Sequence, residues 1–202
     1  RNSWVIAFDK KNGEVAWQVE RNYQTPREGD HSYSTPIVTK RNGRETLLVW
    51  GAERLTAHDA ANGKIHWSCA GFNPQKRGNW VVVSSFVKVG NMAVVPYGRG
   101  SKLAGIKLGG KGDVTGSHRA WETDAGSFVP TPAAHEDHVY TVRDRGEVLC
   151  TNPQSGETLW KGQFPKDRAN YYSSPSIGDG KIYSAREDGT VFVAKIDGGF
   201  KL

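Results

Sequence analysis

The sequence predicts an all-β chain, a β-propeller of four-stranded antiparallel blades. Three observations carry that expectation. A five-residue strand recurs five times, at intervals of 50, 48, 45 and 43 residues. In three of its copies the same turn and the same tryptophan follow it. Before each of the last four copies lie two more short runs of β-forming residues. A period in this range makes one repeat the unit of design, and such repeats stack to bury apolar faces that none can bury alone.

The recurring strand reads Val5-Ile6-Ala7-Phe8-Asp9, Leu55-Thr56-Ala57-His58-Asp59, Leu103-Ala104-Gly105-Ile106-Lys107, Val148-Leu149-Cys150-Thr151-Asn152 and Val191-Phe192-Val193-Ala194-Lys195. We call it strand C. Asp9 leads to Gly13 and Trp17, Asp59 to Gly63 and Trp67, and Asn152 to Gly156 and Trp160, with eight residues from the first to the last each time. A side-chain oxygen that caps its own backbone, followed by a glycine that accepts positive φ, is hairpin chemistry. The acids therefore have a sufficient role in the turn, which disfavours them as metal ligands. Strand D follows and is expected to end in the tryptophan.

Strands A and B precede strand C. Ser34-Thr35-Pro36-Ile37-Val38 is followed by Leu47-Leu48-Val49-Trp50, and Pro130-Thr131-Pro132-Ala133 by His138-Val139-Tyr140-Thr141-Val142. Ser84-Ser85-Phe86-Val87 and Ser173-Ser174-Pro175-Ser176-Ile177 open the other two copies. Proline inside strand A fits an innermost strand with one edge toward a channel. With 24 Gly and 9 Pro, and no sustained i, i+3, i+4 apolar spacing, a helical solenoid is disfavoured.

The third copy departs from the pattern. Lys107 replaces the acid, and Leu108-Gly109-Gly110-Lys111-Gly112-Asp113-Val114-Thr115-Gly116 intervenes before Trp121. The segment lacks the spacing of a phosphate-binding loop. An enlarged turn between strands C and D is expected instead.

Complete blades are expected at about residues 18–67, 68–121 and 122–160, with part-blades at 1–17 and 161–202. Five strand C copies do not fit a closed ring of four. The chain is therefore expected to be about four blade-equivalents of a larger propeller of seven or eight blades. A piece of that kind would expose apolar blade faces, and self-association through them is expected.

Composition narrows the classes of function. With 202 residues, 37% hydrophobic and 24% charged, the chain is long and apolar enough for a buried core. No apolar run reaches the roughly 18 residues of a membrane span. The net charge is +6, but its 27 Lys and Arg are spread over every repeat, which disfavours nucleic acid as partner. Cys69 and Cys150 form no CxxC or Cys/His ligand pattern, and a bridge between them is disfavoured.

A binding site is expected in the loops at one end of the blades. The B–C loops carry Glu53, Arg54, Arg99, Arg143, Asp144, Arg145, Arg186, Glu187 and Asp188, and the D–A loops carry His31, Trp80 and Tyr171. Arginine beside aromatics is the chemistry of protein interfaces. The plainer alternative is a solvated face whose charges pair with one another. His31 has no nucleophile or acid partner in the pattern, so local hydrogen bonding is its expected role.

The signature V-x-A-x-D-x-x-x-G-x-x-x-W, with its Ser-x-Pro strand, resembles the PQQ-binding-like β-propeller repeat family. That superfamily includes quinoprotein alcohol dehydrogenases and BamB-like propellers of outer-membrane assembly. Asp113-Val114-Thr115 and His31-Ser32-Tyr33-Ser34-Thr35-Pro36 look like a bacterial branch of it. The resemblance implies a periplasmic or otherwise extracytoplasmic location. The dehydrogenases pair a vicinal cysteine couple and a calcium site with the quinone PQQ; no two cysteines are adjacent here, and no catalytic, cofactor-binding or metal-binding residue carries over. The sequence thus favours a non-enzymatic binding or scaffold module with a protein partner at the cell envelope. A piece of a PQQ-dependent quinoprotein and a glycan- or small-ligand-binding propeller are the alternatives.

Overall fold

The computed structural model describes residues 3–41 and 43–202. Strands β1 (Trp4–Phe8) and β2 (Val15–Glu20) pair antiparallel. β3 (Ile37–Arg41), β4 (Arg44–Gly51), β5 (Arg54–Asp59) and β6 (Ile65–Cys69) form a second sheet in chain order. β7 (Val87–Val89), β8 (Met92–Tyr97) and β9 (Lys102–Lys107) follow, then the two-residue β10 (Gly112–Asp113) and β11 (Arg119–Thr123). The third sheet has the order β7-β8-β9-β11. β12 (Ala133–His135), β13 (His138–Val142), β14 (Glu147–Thr151) and β15 (Thr158–Gln163) make the fourth. β16 (Ser176–Gly178), β17 (Lys181–Ala185) and β18 (Val191–Lys195) make the last. Every copy of the recurring pentapeptide lies in a strand: β1, β5, β9, β14 or β18.

Two compact units divide these sheets. The first holds residues 1–82 and 109–118, and the second holds 83–108 and 119–202. Leu48, Trp50, Leu55, Trp67 and Phe72 are fully buried in the first. In the second, Tyr140, Val142, Val148, Cys150, Phe164, Tyr171 and Ile182 form one cluster. The middle strands β5, β8, β13 and β14 are buried on both faces for most of their length. The outer strands β2, β11 and β15 alternate, as half-solvated strands do.

The repeated turn is built from the same bonds each time. The Asp9 carbonyl accepts from Gly13 N–H at 2.8 Å, that of Asp59 from Gly63, and that of Asn152 from Gly156. The three side-chain oxygens accept from the residue two further on, Lys11, Ala61 and Gln154. The glycines sit at φ 76°, 75° and 77°, where a side chain is strained. Strand C carries a register shift against strand D near its end in each case, at Ala7/Phe8, Ala57/His58 and Cys150/Thr151.

Three details differ from the sequence pattern. The prolines Pro36, Pro132 and Pro175 lie just before β3, β12 and β16 rather than within strand A, where their missing N–H takes no donor from the ladder. Strand D runs past its tryptophan, to Glu20, Cys69, Thr123 and Gln163. The segment after Lys107 does more than enlarge a turn. Its residues 109–118 join the first unit, where β10 lies parallel to β6, Gly112 opposite Trp67 and Asp113 opposite Ser68. Val114 N–H donates to Ser68 O, Ala70 N–H donates to Thr115 Oγ1, and Val114 is buried. The outer edge of β6 is thereby covered, which removes unpaired backbone groups from solvent.

Candidate functional site

The loops joining strands B and C are tight. Arg143 N–H donates to Glu147 O and Gly146 N–H to Arg143 O; Arg186, Thr190 and Gly189 repeat the arrangement. In the other two repeats Glu53 and Arg99 take positive φ, at 58° and 55°. The side chains that the sequence singled out on these turns meet different partners.

Arg143 and Arg186 act as internal clamps. Arg143 donates to Gly126 O at 3.0 Å, to Asp124 O, and to Glu147 Oε2 at 2.7 Å. Arg186 forks onto Asp188 Oδ2 at 3.1 and 2.6 Å, and lies 5.0 Å from the Phe192 ring centre. That hydrogen bonding holds the Asp188 carboxyl far below the ordinary carboxylate range. Glu187 accepts from Asn170 N–H at 2.7 Å. Tyr171, expected on the rim, is fully buried instead. Its ring stacks on Phe164 at 5.7 Å and its hydroxyl donates to Pro165 O at 2.7 Å. Its neighbour Tyr172 is the exposed member of the pair.

In the second unit, Arg99, Asp144 and Arg145 share a cleft of about 590 Å³ with Phe128. The Arg99 guanidinium lies 4.3 Å above the Phe128 ring. Arg145 Nη1 donates to Asp167 O and Arg168 O at 3.3 and 3.1 Å. Asp144 Oδ1 is buried with no hydrogen-bond partner, and burial pushes the carboxyl up.

The first unit has a cleft of about 1060 Å³, lined by Arg21, Tyr23, Arg27 and His31 among others. Arg54 lies 4.6 Å from the Tyr23 ring centre, and Arg21 5.3 Å. His31 Nε2 is 3.6 Å from Asp30 Oδ1. Glu53 accepts from Asn73 Nδ2 at 2.5 Å, while burial pushes its carboxyl up. Trp80 is half-buried and lines neither cleft.

The sequence pattern did not mark Arg21. It follows strand D in a polar stretch, and only tertiary packing shows it 5% exposed. Nor did it mark His58 as polar core. There Nδ1 bonds Gly63 O and Nε2 bonds Thr56 Oγ1, both at 2.9 Å.

Carboxylates along these loops are held one by one, Glu53 by Asn73, Asp124 by Lys102, Glu147 by Arg143 and Asp188 by Arg186. No group of three or more His, Cys, Asp or Glu converges among the described residues.

Repeated antiparallel sheets in chain order, joined by hairpins with one shared turn, define a β-propeller. The family model described as outer membrane protein assembly factor BamB matches residues 1–162 and again 111–200, and the chain belongs to this PQQ-like repeat family. No curated protein matches it significantly. Among solved structures, BamB from Moraxella catarrhalis is 14% identical with a TM-score of 0.64, covering 97% of this chain and 53% of that one. Saccharomyces cerevisiae Sqt1 is 11% identical with a TM-score of 0.68, covering 98% and 54%. The computationally designed Ika4 protein is 14% identical with a TM-score of 0.55, covering 86% and 99%. The chain therefore spans about half the length of the two natural propellers and nearly all of the designed one.

Proposed function

We propose that this chain is a non-enzymatic propeller module that binds a protein partner at the cell envelope. The observation that carries the reading is the Arg99–Phe128 pair at the 590 Å³ cleft. A guanidinium laid on an aromatic ring offers apolar area and charge together, which is the make-up of interface anchors. Arg145, exposed beside it, adds polar contacts at the rim. The setting at the envelope rests on the family's description as an outer-membrane assembly factor. No helix among the described residues is long and apolar enough to cross a membrane.

The test is retention of a stoichiometric partner from envelope extract by the immobilised chain. Changing Arg99→Ser together with Arg145→Ser is expected to abolish retention while thermal stability is kept. Retention unaffected by the pair would remove the cleft from the reading. Adding PQQ with calcium and recording an absorbance spectrum tests the rival class, since a stoichiometric bound quinone would overturn a non-enzymatic role.

A further inference from the structure

Arg21 is a buried cation with no acid bonded to it among the described residues. Its side chain is almost wholly buried, yet its bonds go only to uncharged oxygens: Nε to Thr56 Oγ1 at 3.2 Å, and Nη2 to Gly51 O and Arg54 O at 2.8 Å each. Nη1 keeps its two N–H groups without a partner among the described residues, and Arg21 lines the 1060 Å³ cleft. A buried cation normally carries a counter-charge, because desolvation is offset only by an opposite charge close by. None is paired with it among the described residues, and the Arg54 charge nearby has the same sign. Tyr23, which lines the cleft, has both guanidiniums within 5.3 Å of its ring centre.

We propose that this cleft is a carboxylate-binding site, with Arg21 as the buried counter-ion, Arg27 as an outer cation on its lining, and Arg54 adding positive charge from behind the Tyr23 ring. Nε and Nη2 of Arg21 are already bonded, so Nη1 remains to donate to a single carboxylate oxygen. Glu28 and Asp30 also line the cleft, and their like charge penalises a phosphate dianion more than a carboxylate. The carboxylate can come from an acidic side chain of a polypeptide or from a free small acid. The site is separate from the Arg99–Phe128 cleft, so each assignment can fail without the other.

The whole chain is titrated with blocked tri-glutamate, with glutarate and with inorganic phosphate. Binding is followed by calorimetry and by the Arg21 Nε–H resonance, which burial and the bond to Thr56 shield from exchange. A saturable shift with either carboxylate is expected, and the tighter of the two names the source. Arg21→Gln and Arg54→Ser are each expected to weaken it about tenfold or more, and Arg99→Ser to leave it unchanged. Absence of a saturable shift overturns the proposal, as does phosphate binding as tightly as the carboxylates. If Arg21→Gln fails to fold, Arg54→Ser and the wild-type resonance still decide.

Discussion

The indole N–H of Trp121 donates to the carbonyl of Pro153, 2.9 Å away and 32 residues further along the chain. Trp17 makes the same bond to Ala60 at 2.9 Å, across 43 residues. Both acceptors directly follow the Asp or Asn that opens the next hairpin. The tryptophan of one repeat is thus a strap onto the turn of the next, and both halves of the signature serve one contact. Gly105, opposite Trp121 in register, is glycine because a Cβ there would lie 2.1 Å from the indole.

Removing the strap has a graded effect. Trp121→Phe keeps much of the ring but leaves the Pro153 carbonyl without its donor, which costs about 1 kcal/mol. Trp121→Ala also opens a cavity and costs about 3–5 kcal/mol. Urea denaturation of the two variants measures the ladder; equal losses would show that the bond to Pro153 contributes nothing.

Two glycines with the same φ separate backbone strain from packing. Gly156 sits at φ 77° with Trp121 pressed on it, 2.6 Å from where a Cβ would be, whereas Gly13 at φ 76° faces open space. Gly13→Ala is expected to cost about 1 kcal/mol from strain alone. Gly156→Ala is expected to cost about 2–4 kcal/mol, since overlap adds to strain. Chemical denaturation of both variants checks the difference.

His58 gives the fold a dependence on acid. Gly63 O can only accept, so Nδ1 carries the proton and Nε2 accepts from the Thr56 hydroxyl in the neutral ring. Burial, with Arg21 nearby, holds its pKa below the ordinary 6.5. The unfolded chain therefore takes up the proton first. Stability from this group is full above pH 6.5 and falls as the pH drops below it. The stability of wild type relative to His58→Gln, measured from pH 7.5 to 5, is expected to decline with acid; a flat difference would contradict a neutral buried ring.

Asp144 runs the other way. Its carboxyl is raised by burial and Oδ1 has no partner, so ionisation weakens the fold. Asp144→Asn is expected to stabilise the protein at neutral pH. The gain should shrink as the pH falls through the raised folded pKa toward the unfolded one, where the native acid is itself neutral. Thermal melts of both proteins at pH 7.5 and pH 4 measure the difference.

Much of the architecture was legible because it is local and repeated. The Asp9, Asp59 and Asn152 turns, the glycine that follows each, and the positions of the pentapeptide strands depend on chemistry within a dozen residues. The path of residues 109–118 was not legible: a two-residue parallel pairing of Gly112–Asp113 with Trp67–Ser68 depends on a partner more than forty residues away. The candidate site divides along the same line. Arg99, Arg143 and Arg145 line one cleft, as loop residues of their type can. Arg186 and Tyr171 have the same sequence character, yet serve the scaffold.

The sequence by itself determined the repeat, its hairpins and the class of fold, since periodicity and turn chemistry act through neighbours in the chain. Only the tertiary structure decided which charges are clamped within the scaffold and which line a cleft. That depends on what each side chain meets after packing: Arg186 meets Asp188, whereas the buried Arg21 meets three neutral oxygens and a cleft.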